Sequence, residues 1–124
     1  MPVDLAALVA PGRCAVVTQE CQNGVLGEPA IFPEMAAVAR ANGVVEAIAR
    51  LVVDARAVGI PVVHCIALRR PDGLGASTNA RLFAVAASAA VTLEPGSHAA
   101  AIVDEIAVGE RDLLSERYHG VGPM

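Results

Sequence analysis

Two short segments that are apolar on both faces, with one long amphipathic stretch between them, constrain this chain more than any other feature. Residues 13–19, containing Cys14-Ala15-Val16-Val17, read as one strand, and Ile60-Pro61-Val62-Val63-His64-Cys65-Ile66-Ala67 reads as a second. A strand that is apolar without alternation is covered on each side, as the strands of parallel sheets are. Pro61 is tolerated because it stands at the strand's beginning. Between the two, Val44, Val45, Ile48, Leu51, Val52, Ala55 and Val58 recur at helical spacing, with Glu46, Arg50, Asp54 and Arg56 on the other faces. Asn42 is placed to cap that helix, and Gly59 to take the left-handed position beyond its end. The pattern is a βαβ unit, whose crossover is right-handed.

The remaining segments extend the same alternation. Residues 24–40 read as a loop with Gly27, Pro29 and Pro33, and a short helical piece is expected around Glu34 to Ala39. Arg69 to Ser77 reads as a loop, after which Thr78 or Asn79 opens a helix running to Ala90. Pro95-Gly96-Ser97 marks a turn and a helix cap, and His98 to Ile106 is expected to be helical, with Ala101, Ile102 and Ile106 on its apolar face. Arg111-Asp112-Leu113-Leu114-Ser115 reads as a third strand, and Gly120 to Met124 as an irregular tail. The expected fold is a single α/β domain over 1–124, a three-layer α/β/α arrangement around a parallel sheet of about three strands.

Composition excludes several function classes. The chain is 55% apolar and 18% charged, which rules out intrinsic disorder. Phe32, Phe83 and Tyr118 are its only aromatics, so the core is built from Ala, Val, Leu and Ile, and no base-stacking platform is available. A net charge of −4 with no basic block argues against nucleic acid. All nine basic residues are arginines, which removes lysine chemistry altogether. The N-terminal residues lack the basic flank of a secretory signal, and no apolar run approaches the ~20 residues that cross a bilayer. Cys14, Cys21 and Cys65 are an odd number without metal-type spacing, as expected of reduced thiols in a cytoplasm.

Chemistry in parallel α/β sheets sits at the carboxyl ends of the strands. Glu20 follows the first strand, Arg69-Arg70 the second and Arg117 the third, so the topology gathers an acid and several guanidiniums at one edge. Arg69, Arg70 and Arg81 are of the type that clamps a substrate carboxylate, against the alternative that they are loop charges that maintain solubility.

These residues resemble a known family, the isochorismatase-like cysteine hydrolases. The similar stretches are Val16-Val17-Thr18-Gln19-Glu20-Cys21-Gln22-Asn23-Gly24, then Ala49-Arg50-Leu51 with Ala55-Arg56-Ala57-Val58-Gly59-Ile60-Pro61-Val62-Val63, then Glu94-Pro95-Gly96-Ser97 with Ile102-Val103-Asp104-Glu105-Ile106. The likeness covers most of 13–118. It implies a hydrolase of a small amide or vinyl ether in which an Asp acts as base beside a Lys and a Cys nucleophile. Glu20 stands at the Asp position, and Arg117, at the end of Asp112-Leu113-Leu114-Ser115-Glu116-Arg117, stands near the Lys position. Gln22 and Asn23 match the family's Gln-Asn pair and are expected at the substrate, together with Arg69 and Arg81. Both catalytic substitutions keep charge but change chemistry, since Glu reaches one methylene further and a guanidinium does not exchange its proton as an ammonium does. The family's Cys follows a fourth strand that this sequence does not include. The chain as written is therefore expected to be incomplete or inactive as a catalyst.

Cys21 adjoins Glu20, but neighbours on an extended segment point opposite ways. Cys65, near the end of the second strand, is better placed to serve as a thiol nucleophile, with Arg69, Arg70 or His64 to lower its pKa, against the alternative that Cys65 and Cys14 are small buried hydrophobes. His64, His98 and His119 are scattered, so no metal site is expected, and no cofactor either. Gly73-Leu74-Gly75-Ala76-Ser77 reads as a flexible loop rather than a phosphate cradle, since no Walker lysine accompanies it. Two strand orders are compatible with the pattern, and the family's 3-2-1, which leaves the first strand with an open edge and so implies a homo-oligomer, is expected over a flavodoxin-like 2-1-3. Two functions follow. One is an isochorismatase-like hydrolase acting on a small molecule, and the other is a non-catalytic binding or assembly protein that retains the first half of the fold.

Overall fold

The computed structural model describes residues 2–119. Its centre is a parallel sheet of β1 (Val16–Gln19), β2 (Val62–Ala67) and β3 (Leu113–Arg117), in the order β1-β2-β3. The middle strand is the second one, as in the 3-2-1 order, and β1 lies at an edge. Register is fixed by the rows Val17, Val63 and Leu113, then Thr18, His64 and Leu114, then Gln19, Cys65 and Ser115.

Helix α1 (Leu5–Leu8) precedes β1, α2 (Asn23–Leu26), α3 (Pro33–Ala41) and α4 (Val44–Ala57) lie between β1 and β2, and α5 (Arg81–Ala87) lies between β2 and β3. In α4, Val45 and Val52 are fully buried and Ala55 nearly so, with Ile48 and Ala49 packed beside them. They meet Val62, Val103 and Ile106 to form the main core, whereas Val44, Leu51 and Val58 of the same periodic pattern stay exposed. Burying one such valine stabilises the fold by about 2 kcal/mol. Gly59 ends α4 as expected, at φ 75°, with its N–H on the Arg56 carbonyl and the Ile60 N–H on Ala55. That is the paired closure that needs a residue free to turn left-handed. Across the sheet, Val17 and Leu113 lie on the face away from Val62 and His64, and both are more than half exposed.

Several expected boundaries move, each for a local reason. Asn42 does not cap α4: its side-chain amide donates back to Val38 O and closes α3, while Gly43, left-handed at φ 68°, enters α4. The helix expected from His98 to Ile106 is absent apart from a single 3-10 turn at Asp104–Ile106. Its backbone is claimed elsewhere, since the carbonyls of Ala99 and Ala101 accept from Gly24 and Asn23 and the Val103 N–H donates to Cys21 O. The Glu94-Pro95-Gly96-Ser97 turn does form, closed by Ser97 N–H on Glu94 O with Gly96 at φ 78°. Helix α5 is shorter than expected, entering at Ala80 because Asn79 is engaged with Ser77. The third strand starts two residues late, because Asp112 is held in a turn by Gly109. The tail from Gly120 lies outside the described residues.

Candidate active site

Where β1 ends, the chain makes an uncommon move: Glu20 takes φ 52°, the left-handed region that L side chains avoid. Its N–H still bonds the Cys65 carbonyl, so the backbone leaves the sheet sharply at this residue. A non-glycine residue in that region costs about 1–3 kcal/mol and persists where surrounding structure imposes it. The turn sends the Glu20 carboxylate toward β3 and the Cys21 thiol into the core, where it is almost fully buried.

Glu20 and Arg117 form an ion pair through Oε1 and a guanidinium nitrogen. Arg117 ends β3, in register with Ala67, and its side chain is buried, so burial pulls its pKa down from the ordinary value. A second guanidinium nitrogen donates to His119 O at 2.9 Å. Glu20 Oε1 also accepts from the Gln19 amide at 3.0 Å, while its Oε2 accepts from no other side chain among the described residues. The pair therefore offers one uncommitted carboxylate oxygen, able to take a proton, beside a fixed positive charge.

The pair opens into a cavity of about 360 Å³. Phe32, Phe83 and Tyr118 all line it, so every aromatic residue of the chain is at this wall and none is in the core clusters' buried set. Leu68, Leu82 and Leu93 add aliphatic surface. Arg69 lines the cavity as well, half-buried and without an ion-pair partner among the described residues. The 73–77 loop forms part of the rim through Ala76 and Ser77, and Gly75 lets it approach, since a Cβ there would stand 2.9 Å from the Tyr118 carbonyl oxygen at a φ of 87°.

The other residues expected at the site occupy different positions. Gln22 is fully buried: its amide nitrogen donates to Ala67 O and Ala100 O, each at 2.9 Å, and its oxygen accepts from Ala67 N–H at 2.8 Å. Its side chain thus takes the place of a strand neighbour for the end of β2 after β1 has left the sheet. Asn23 donates to His98 O at 3.1 Å. Neither lines the cavity, and neither does Arg81, which is exposed at the start of α5. Arg70 is exposed and paired with Asp72. Burial pushes the Cys21 thiol up, against thiolate formation. Cys65 is buried as well, and no cysteine among the described residues lines the cavity. The described residues contain no cluster of His, Cys, Asp and Glu able to hold a metal ion.

A polar chain unread in the sequence crosses the sheet behind the site. Thr18 Oγ1 lies 2.8 Å from His64 Nδ1, and His64 Nε2 lies 3.0 Å from Asp112 Oδ2. Asp112 is gripped by Arg56 on both oxygens and by the Gly109 N–H. An ionised carboxylate only accepts, so Nε2 carries the proton, and in the neutral ring Nδ1 accepts from the Thr18 hydroxyl. The Arg56 guanidinium holds the Asp112 carboxyl well below the usual carboxylate range.

A family model described as isochorismatase domain matches residues 14–120. No curated protein matches the chain.

Proposed function

This chain belongs to the isochorismatase domain family, and from that premise we propose that its cavity is a hydrolytic site for a small amide or vinyl ether, to which Glu20 and Arg117 contribute the acid and the cation. The observation that carries this reading is the Glu20–Arg117 pair at the carboxyl edge of a parallel sheet, opening into an apolar cavity. With an amide, Glu20 Oε2 accepts the proton of the attacking group and returns it to the leaving amine. With a vinyl ether, the protonated carboxyl gives its proton to the terminal vinyl carbon, takes one back from the water that adds at the ether-bearing carbon, and the alcohol leaves from the hemiketal. Arg117 stays protonated throughout and, with an amide substrate, stabilises the negative charge that develops on the carbonyl oxygen through its remaining N–H groups. The nucleophile comes from a group outside the present cavity wall, either a thiol brought in by another segment or chain, or water.

One observation favours a second reading, a protein that binds small molecules or assembles without turning them over: no described cysteine reaches the cavity. Assays on small primary amides and on isochorismate, run beside Glu20→Ala, separate the two. Under the hydrolytic reading, turnover falls by about a hundredfold or more in the variant. Equal rates in both proteins remove Glu20 from the mechanism. Binding with no hydrolysis in either protein establishes the second reading.

A further inference from the structure

Among the described residues the charges on the cavity wall do not balance, and the imbalance specifies a ligand. Glu20 is the one carboxylate among the described lining residues, and it is already paired with Arg117. Arg69 has no ion-pair partner among the described residues and lies half-buried at the same wall. Of the other arginines near the strand ends, Arg70 is neutralised by Asp72 and Arg81 stands outside the cavity, so Arg69 is the cation positioned to meet a ligand. It is placed firmly: its N–H donates to Leu93 O at 2.8 Å and the preceding Leu68 N–H to Arg117 O at 2.7 Å, so its Cα is tied both to the loop before residue 94 and to the strand that carries Arg117.

The rest of the wall describes the ligand's body. All of the chain's aromatic side chains are here, each half-buried, and aromatic faces favour flat rings over other apolar shapes. A cavity of about 360 Å³ is near the lower end for small-molecule sites.

We infer that the cavity takes a small ring-bearing monocarboxylate, its ring against Phe32, Phe83 and Tyr118 and its carboxylate on Arg69, with an uncharged polar group directed at Glu20 and Arg117. A carboxylate fits the planar fork of a guanidinium in a way a neutral group does not. An anionic group is disfavoured at the other end, where Glu20 already supplies the counter-charge to Arg117. This specificity rests on the cavity being the substrate site proposed above.

The test uses two probes that differ by one carboxylate, benzamide and 3-carbamoylbenzoate, with binding to the full chain measured by calorimetry or ligand-observed NMR. The expected result at low salt is that 3-carbamoylbenzoate binds at least about tenfold tighter, as a charge-assisted contact provides. The gap narrows as salt is added, since Arg69 is half exposed to screening. Arg69→Leu brings the two probes level, and Arg69→Lys keeps most of the preference, with circular dichroism confirming that both variants are folded. Equal affinities in the wild-type chain overturn the inference while leaving the cavity as a binding site. A preference that survives Arg69→Leu overturns the assignment to Arg69. Binding of neither probe refutes the cavity as a substrate site for ring amides, and the inference with it.

Discussion

Replacing Asp112 by Ala removes the acceptor on which three donors converge: Arg56, the Gly109 N–H and His64 Nε2. The Asp112 side chain is 3% exposed and that of His64 0%, whereas the Arg56 side chain is 29% exposed and turns to water when released. The cost therefore comes mainly from the His64 Nε2–H, which cannot reach solvent and costs about 1–3 kcal/mol when stranded, with loss of the bond to the half-buried Gly109 N–H adding about 1 kcal/mol. A total of about 3 kcal/mol follows, at the lower end of what breaking a buried ion pair costs. For a domain of this size that lowers Tm by roughly 10 °C. Urea and thermal unfolding followed by circular dichroism measure it. A loss below about 1 kcal/mol refutes the claim that the network is closed and buried.

The same carboxylate predicts a pH dependence with a definite sign. Its folded pKa is depressed below the ordinary 3.8, so its contribution is complete above that value. As pH falls below about 4 the unfolded chain takes up the proton while the folded chain resists it, and stability declines. Asp112→Asn keeps the shape and a carbonyl acceptor but has nothing to titrate, so its stability curve is flatter through this window. An acid slope unchanged in Asp112→Asn assigns the acid sensitivity to other carboxylates.

Two further predictions concern the site's support. At Glu20, where φ is 52°, the usual ranking of Ala above Gly reverses: Glu20→Gly is more stable than Glu20→Ala by about 1 kcal/mol, because only glycine adopts that conformation freely. Chemical denaturation of the two variants measures the difference, and Ala equalling or exceeding Gly contradicts the backbone strain. Gln22→Ala leaves the Ala67 N–H and the Ala67 and Ala100 carbonyls without their partner, costing about 2–3 kcal/mol. Amide exchange at Ala67 should accelerate in this variant beyond the global change in stability. Unaltered local protection shows that the side chain does not secure the end of β2.

The elements carried by periodicity were legible and those carried by distant contacts were not. Val45, Ile48, Val52 and Ala55 repeat at helical spacing, and α4 forms where they stand, because the pattern and the packing ask for the same thing. The segment 98–106 has a good helix signal in Ser97 and its alanines, yet its backbone hydrogen bonds go to residues 21–24, some eighty positions away. No local rule reports that competition. Glu20, Arg69 and Arg117 were visible because strand ends are where a parallel sheet gathers its chemistry, and all three line the cavity. Gln22 was visible as a residue type in a motif, but its role as a substitute for a missing strand neighbour depends on where β1 turns away. The aromatic wall had a signal in plain view: a chain with three aromatics and an aliphatic core leaves its rings to line a cavity. The Thr18, His64 and Asp112 chain had none, since the three residues meet only through the register of the strands.

That register links the buried network to the site. Asp112 immediately precedes β3 and Arg117 ends it, so the network holds one end of the strand whose other end supplies the cation. Shifting β3 by one residue would turn Arg117 to the opposite face of the sheet, away from Glu20, and would bring Leu113 to the side of His64. The two leucines of β3 offer little resistance to such a slip, because Leu113 and Leu114 are both more than half exposed. The polar chain resists it strongly, since only one register lets His64 reach Thr18 and Asp112 together. Polar groups buried at one end of the sheet thereby set the geometry of the charged pair at the other, and they do so without touching a ligand.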